Sequence, residues 1–219
     1  MPPSKVLNPP RRTALARLSG VALAALGGAA LSACDQLGQA TGQQPSFRGI
    51  DITGAPYGRD FRLTDVDGQE RTLADYRGKL VLLYFGFVQC PDVCPTALTR
   101  AVETKRLLGP DGDQLQVIFV TVDPERDTAE LLKAYVENFD PSFLALRGSP
   151  EQLAAVAKDF KIYYKKVPGS TPTSYTMDHS AGSYVYDPAG RLRVYHRYGS
   201  GAQALASDVR LLLQEKTTP

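Results

Sequence analysis

No run of Lys and Arg is long enough to form a basic patch, which removes the electrostatic footprint of a nucleic-acid binder. No internal repeat recurs along the chain, so solenoid and propeller architectures are excluded. No composition shift divides residues 46–219, a length that one core of ordinary size fills. Residues suited to soft-metal and redox chemistry are few: 3 Cys, 2 Met and 2 His among 219 residues. Chemistry of that kind must therefore rest on very few side chains. The uncharged run Leu18 to Ala33 falls slightly short of the ~18 apolar residues that a membrane span needs.

What precedes and follows that run gives it a different meaning. Lys5, Arg11, Arg12 and Arg17 form a basic leader without acidic residues, the layout of an export signal over residues 1–33. The run ends Leu31-Ser32-Ala33-Cys34, which resembles a bacterial lipobox. Cys34 is accordingly expected to be lipidated and to become the mature N-terminus, with ordinary signal cleavage or an uncleaved anchor as the alternatives. Arg11-Arg12 has surroundings that fit a twin-arginine signal poorly. The formal net charge of +2 comes from the leader: without its four basic residues, 21 Lys and Arg face 23 acids. Residues 34–45 read as a flexible tether of Gln, Gly, Thr and Ala, spanning roughly 20 Å as a random coil. The expected location is the outer side of a bacterial cell membrane, lipid-anchored, with the globular part close to the bilayer.

Within the globular part, Phe61 to Asp65, the turn Asp67-Gly68 and Arg71 to Leu73 predict a small N-terminal hairpin. Leu80 to Phe87 is a continuous apolar run typical of a central strand buried on both faces, and Leu115 to Val122 is a second. Pro95 to Leu108 reads as a helix that starts with proline and stops at Gly109-Pro110. Thr128 to Asn138 and Pro150 to Phe160 are amphipathic helices, and Ile162 to Val167 is a further strand. Ser183 to Tyr186 and Leu192 to His196 flank the turn Asp187 to Gly190, and Ala202 to Gln214 closes the chain as a helix. This order predicts a thioredoxin-like α/β fold, a central mixed sheet flanked by helices.

The central strand runs into Tyr84-Phe85-Gly86-Phe87-Val88-Gln89-Cys90-Pro91-Asp92-Val93-Cys94-Pro95, where a helix begins. Thiolates at a helix start are favoured by the positive end of the helix dipole, which suits them as soft metal ligands or as redox groups. A purely structural Cys90–Cys94 bridge would close a loop so small that chain entropy assigns it only about 2 kcal/mol. His196, at the end of the last strand, reads as surface structure.

The chain resembles the Sco/SenC family, thioredoxin-fold copper chaperones of cytochrome c oxidase assembly. The resemblance rests on Asp75 to Phe87, the Cys90 to Pro95 motif, Phe119 to Thr128, and Tyr175 to Ser180, in order across most of the globular part. It implies copper, Cu(I) or Cu(II), held by Cys90, Cys94 and His179, with the cysteines able to form a redox disulfide. It also implies delivery to the binuclear copper centre of oxidase subunit II, with a further periplasmic copper chaperone or a thiol reductase as additional partners. Two thiolates and an imidazole are a soft set that suits copper. His179 is expected on the loop before the final hairpin. Asp123 and Asp178 are expected either to accept the second ring N–H of His179, since ligating histidines usually have such a partner, or to shape the loop that carries it, with a turn or helix-cap carboxylate as the alternative for each. Met177 reads as packing.

Two rivals use the same residues. A thiol-disulfide reductase for the oxidase cysteines would need only the pair. Against a general oxidoreductase stand the C-x-x-x-C spacing and Asp178-His179-Ser180-Ala181, where thioredoxin oxidoreductases carry a cis-proline. A peroxiredoxin would need Pro at 83 and Thr at 87, and the chain has Leu83 and Phe87. The second rival is a copper or redox sensor.

Overall fold

The apolar run after Lys79 forms strand β4 (Leu80–Gly86), in which every residue is buried. Beside it lies β5 (Leu115–Thr121), parallel and in register from Leu80↔Leu115 to Gly86↔Thr121. Neither strand alternates, because both of their faces are covered; each buried Leu, Val or Phe contributes about 1.5–3 kcal/mol. This computed structural model describes residues 46–171 and 174–217. The expected signal, the tether and Cys34 lie outside the described residues.

Around this pair the sheet order is β1-β10-β9-β4-β5-β6-β2-β3. Its other members are β1 (Ile50–Asp51), β2 (Leu63–Asp65), β3 (Glu70–Arg71), β6 (Leu144–Arg147), β9 (Ser183–Tyr186) and β10 (Leu192–His196). β6 is parallel to β5, whereas β9 is antiparallel to β4 and β10 to β9. The helices are α1 (Val93–Leu108), α2 (Ala129–Glu137), α3 (Pro150–Phe160) and α4 (Ala202–Thr217). α1 packs against α4, and α2 against β6. This is the expected thioredoxin-like mixed sheet with flanking helices. Among the described residues, no helix is long and apolar enough to cross a membrane.

Local chemistry explains the ends of these elements. The β2–β3 hairpin turns at Gly68, whose φ of 82° favours glycine, and Asp65 Oδ1 accepts the N–H groups of Asp67 and Gln69. Ser149 and Gln152 form a capping box before Pro150, which fixes the start of α3. Three expectations need correction. α1 begins at Val93, two residues before Pro95, because the first helical N–H groups need no intrahelical acceptor and a proline is tolerated there. His179, expected on the loop before the final hairpin, instead ends strand β8 (Tyr175–His179), paired with β7 (Tyr164–Pro168) in a two-stranded sheet separate from the main one. His196 is fully buried: its Nε2 lies 2.9 Å from Asp208 Oδ2 of α4. The same carboxylate accepts the N–H groups of Arg48 and Gly49 at 2.7 and 2.8 Å, fastening the start of the described chain to α4.

Candidate metal centre

The end of β4, the first turn of α1 and the end of β8 meet at one point. The ligand atoms of Cys90, Cys94 and His179 all lie within 4.8 Å of one another. Cys90 sits in the loop after β4, its N–H donating to the Phe87 carbonyl at 3.3 Å. Cys94 lies in the first turn of α1, and its N–H donates to Cys90 Sγ at 3.3 Å. A sulfur thus takes up one of the helix's orphan N–H groups, as an N-cap oxygen would. His179 ends β8, with Nε2 3.4 Å from Cys94 Sγ and Nδ1 3.0 Å from the Ser180 carbonyl oxygen. A carbonyl only accepts, so Nδ1 carries a proton, and Nε2 is the ring nitrogen that faces the sulfurs. Phe87 and Tyr84 meet the imidazole edge-on, with centroids at 5.7 and 6.2 Å.

Acidity separates the two thiols, which are both free. Cys90 is lowered to about 4, first by the hydrogen bond from the Cys94 thiol and further by His179 and the N–H groups of Asp92 and Cys94, against the opposing effect of burial. Cys94 is raised, because it gives that bond and because it is buried. The pair therefore holds one ready thiolate and one proton that leaves only when something replaces it. Burial pushes the nearby Tyr84 phenol up.

Asp123 and Asp178 are not the partners of the imidazole. Asp123 is buried and spends one oxygen on Arg126 Nε at 2.5 Å and the other on the Tyr175 hydroxyl at 2.9 Å. Asp178 is exposed, because alternate residues of β8 face opposite ways and His179 takes the inward position. The Ser180 carbonyl takes the ring N–H instead, while Asp123, through the Tyr175 hydroxyl, holds the start of the strand that carries His179. Met177 is buried, as packing requires.

Sequence reasoning missed three residues that shape the site. Arg126 bridges its halves: Nη1 donates to Gln89 Oε1 in the cysteine loop at 3.1 Å and to the Tyr175 carbonyl at the start of β8 at 2.8 Å. Its guanidinium lies 3.6 Å from the centre of the Tyr175 ring. Gly86 makes room for the thiol, since a Cβ there would fall 2.7 Å from Cys94 Sγ. Asp127 adds support from beneath: Oδ2 accepts the Val88 N–H at 3.1 Å and the Thr121 hydroxyl at 2.5 Å. The run Asp123-Pro124-Glu125-Arg126-Asp127, directly after a buried strand, was the signal for two of these three.

Residues 51–214 match the family model described as SCO1/SenC. Over 153 residues, 69% of the chain, the sequence is 41% identical to the mitochondrial SCO2 homolog of Bos taurus and 39% identical to that of Homo sapiens. The match spans 58% of each of these relatives, so less than two thirds of their length is represented. Among solved structures, Bradyrhizobium japonicum ScoI with copper bound is 40% identical with a TM-score of 0.64, over 71% of this chain and 98% of that one. The solution structure of apo Sco1 from Thermus thermophilus is 37% identical with a TM-score of 0.69, over 78% of this chain and 99% of that one. Fold, cysteine motif and sequence agree over most of the globular part, and the chain belongs to the SCO1/SenC family.

Proposed function

We propose that the chain binds one copper ion through Cys90 Sγ, Cys94 Sγ and His179 Nε2 and delivers it to the binuclear copper centre of cytochrome c oxidase subunit II. The observation that carries this reading is the convergence of two sulfurs and one imidazole nitrogen within 4.8 Å, at the meeting point of three elements. Such a soft, low-coordinate set suits Cu(I). The similar ScoI proteins of Bradyrhizobium japonicum and Arabidopsis thaliana, 40% and 32% identical, are described with copper bound.

The residues divide the work. Cys90 offers a thiolate at neutral pH, whereas Cys94 must lose its proton as the ion arrives, so loading releases a proton. His179 presents Nε2 to the site, because its Nδ1 is taken by the Ser180 carbonyl. Delivery proceeds by exchange, the acceptor's thiolates and imidazoles replacing these three one at a time. A Cys90–Cys94 disulfide has no thiolate to offer and is the empty, oxidised state of the site. A lipid on Cys34 and the tether of residues 34–45 keep the domain beside membrane-bound acceptors and raise their effective concentration.

The separation of the two thiols in acidity also favours a second reading, a thiol-disulfide reductase that keeps the oxidase cysteines reduced, with Cys90 as the attacking group. Copper stoichiometry of the reduced protein and of His179→Ala separates the two. Delivery requires one tightly held copper per chain and loss of about tenfold to a hundredfold or more in affinity on the substitution. Copper-free wild-type protein, with reductase activity intact in His179→Ala, overturns it. For the anchor, Cys34→Ser must abolish membrane partition of the full chain.

A further inference from the structure

Tyr84 touches the cysteine–histidine group without belonging to it. On β4 it is 2% exposed, and its hydroxyl donates to Cys94 Sγ at 3.9 Å, its one hydrogen-bond partner among the described residues. The ring is held in place: it stacks on Phe119 with centroids at 6.2 Å and meets His179 edge-on. Gly86 leaves no gap between them, since its missing Cβ would fall 3.0 Å from Tyr84 Cε1 as well as against the thiol. Phenylalanine would fill the same space without the cost of burying a hydroxyl. The hydroxyl therefore has a use that packing does not explain.

We propose that Tyr84 sets the electron-donor strength of Cys94 through its O–H···S hydrogen bond. A sulfur that accepts a hydrogen bond has less charge to give, and the sulfurs of the reduced pair, which share one negative charge, accept better than those of a neutral disulfide. The bond thus favours the dithiol over the disulfide, and it favours Cu(I) over Cu(II) once copper is bound, as hydrogen bonds to sulfur do at other metal centres. The second consequence rests on the copper reading; the first does not.

The test uses the full chain, first without metal. In a glutathione redox buffer, oxidised glutathione takes two electrons from Cys90 and Cys94, which become a disulfide, while two reduced glutathiones form with one proton from the Cys94 thiol and one from solvent, Cys90 being a thiolate already. Tyr84→Phe is expected to move this equilibrium about threefold to tenfold toward the disulfide, the range that one neutral hydrogen bond covers. Tyr184→Phe is the control: it removes a buried hydroxyl that donates to the Phe160 carbonyl at 2.8 Å, at similar cost to folding, and must leave the equilibrium unmoved. An equilibrium in Tyr84→Phe within twofold of wild type overturns the proposal. If that variant does not fold, wild-type sequence grown with 3-fluorotyrosine decides: a stronger donor must shift the equilibrium toward the dithiol, and no shift overturns the role. With Cu(II) added, the thiolate-to-copper absorption band must move to longer wavelength in Tyr84→Phe. A wild-type protein that takes up no copper sinks the copper reading alone, and the glutathione measurement then decides Tyr84 by itself.

Discussion

Gly86→Ala has an effect whose sign depends on a single feature of the site. Gly86 lies inside β4 and is not among the glycines with positive φ, so alanine meets no backbone strain there. In open space the substitution would stabilise the protein by about 0.4–1 kcal/mol, because glycine loses the most conformational freedom on folding. The space is not open. The new methyl would lie 2.7 Å from Cys94 Sγ, 2.8 Å from Phe119 Cε2 and 3.0 Å from Tyr84 Cε1. None of these is the free end of a flexible chain; all three residues are buried, two of them in the paired strands β4 and β5. Overpacking of this kind costs about 1–3 kcal/mol, which outweighs the entropic gain. The expected net loss is about 1–2 kcal/mol, and with a urea m-value of about 1–3 kcal/mol/M the midpoint falls by roughly 0.3–2 M. The clash also displaces Cys94, so its reaction with an aromatic disulfide reagent should accelerate. A midpoint that rises, with unchanged thiol kinetics, would refute the claim that this glycine exists to admit the sulfur.

Two further outcomes follow from the charges. Asp208 is raised by burial but lowered more by His196 and the Arg48 and Gly49 N–H groups, leaving it below the usual carboxylate value. A depressed carboxylate stabilises the fold above its unfolded pKa and loses that contribution as pH falls through the folded value. Asp208→Asn should therefore cost about 1.5–3 kcal/mol at pH 7, and the gap between the urea midpoints of variant and wild type should narrow as pH falls below the ordinary carboxylate value; a gap that stays constant as the solution is acidified contradicts this. For Cys90, lowered to about 4, alkylation by iodoacetamide should be nearly constant between pH 6 and 8, whereas an ordinary thiol near ~8.5 gains almost tenfold per pH unit there. Cys94→Ala removes the principal cause of the lowering and should restore the ordinary slope.

How much of this was legible beforehand varied with the kind of signal. β4 and β5 were plain because long apolar runs bounded by polar residues have few alternatives, and α3 because serine, proline and glutamine mark its start. β6 and β8 were not, since four or five residues without clear alternation become strands only when a neighbour supplies hydrogen-bond partners. The cysteine pair stood out through its place after a buried strand, and His179 only through family resemblance. Gly86 and the buried His196 carry no local mark, and Arg126 only its place in the polar run after β5. Each acquires its role from a contact that exists only in the folded chain: Gln89 and Tyr175 for Arg126, Cys94 for Gly86, Asp208 for His196.

The separation of His179 from the cysteines along the chain has a thermodynamic consequence. Cys90 and Cys94 are 4 residues apart, whereas Cys94 and His179 are 85 apart and belong to different sheets or helices. Closing the longer loop in a disordered chain costs roughly 3 kcal/mol more than closing the shorter one. An unfolded chain can thus offer two sulfurs to an ion but hardly the third donor, and the three-donor set arises only once the chain has folded. An ion that uses all three binds the native state selectively and raises its stability by about 4 kcal/mol at a thousand times its dissociation constant. Loss of the ion returns that stability, so the protein is most robust with an ion held by all three donors and most easily opened once that ion has left.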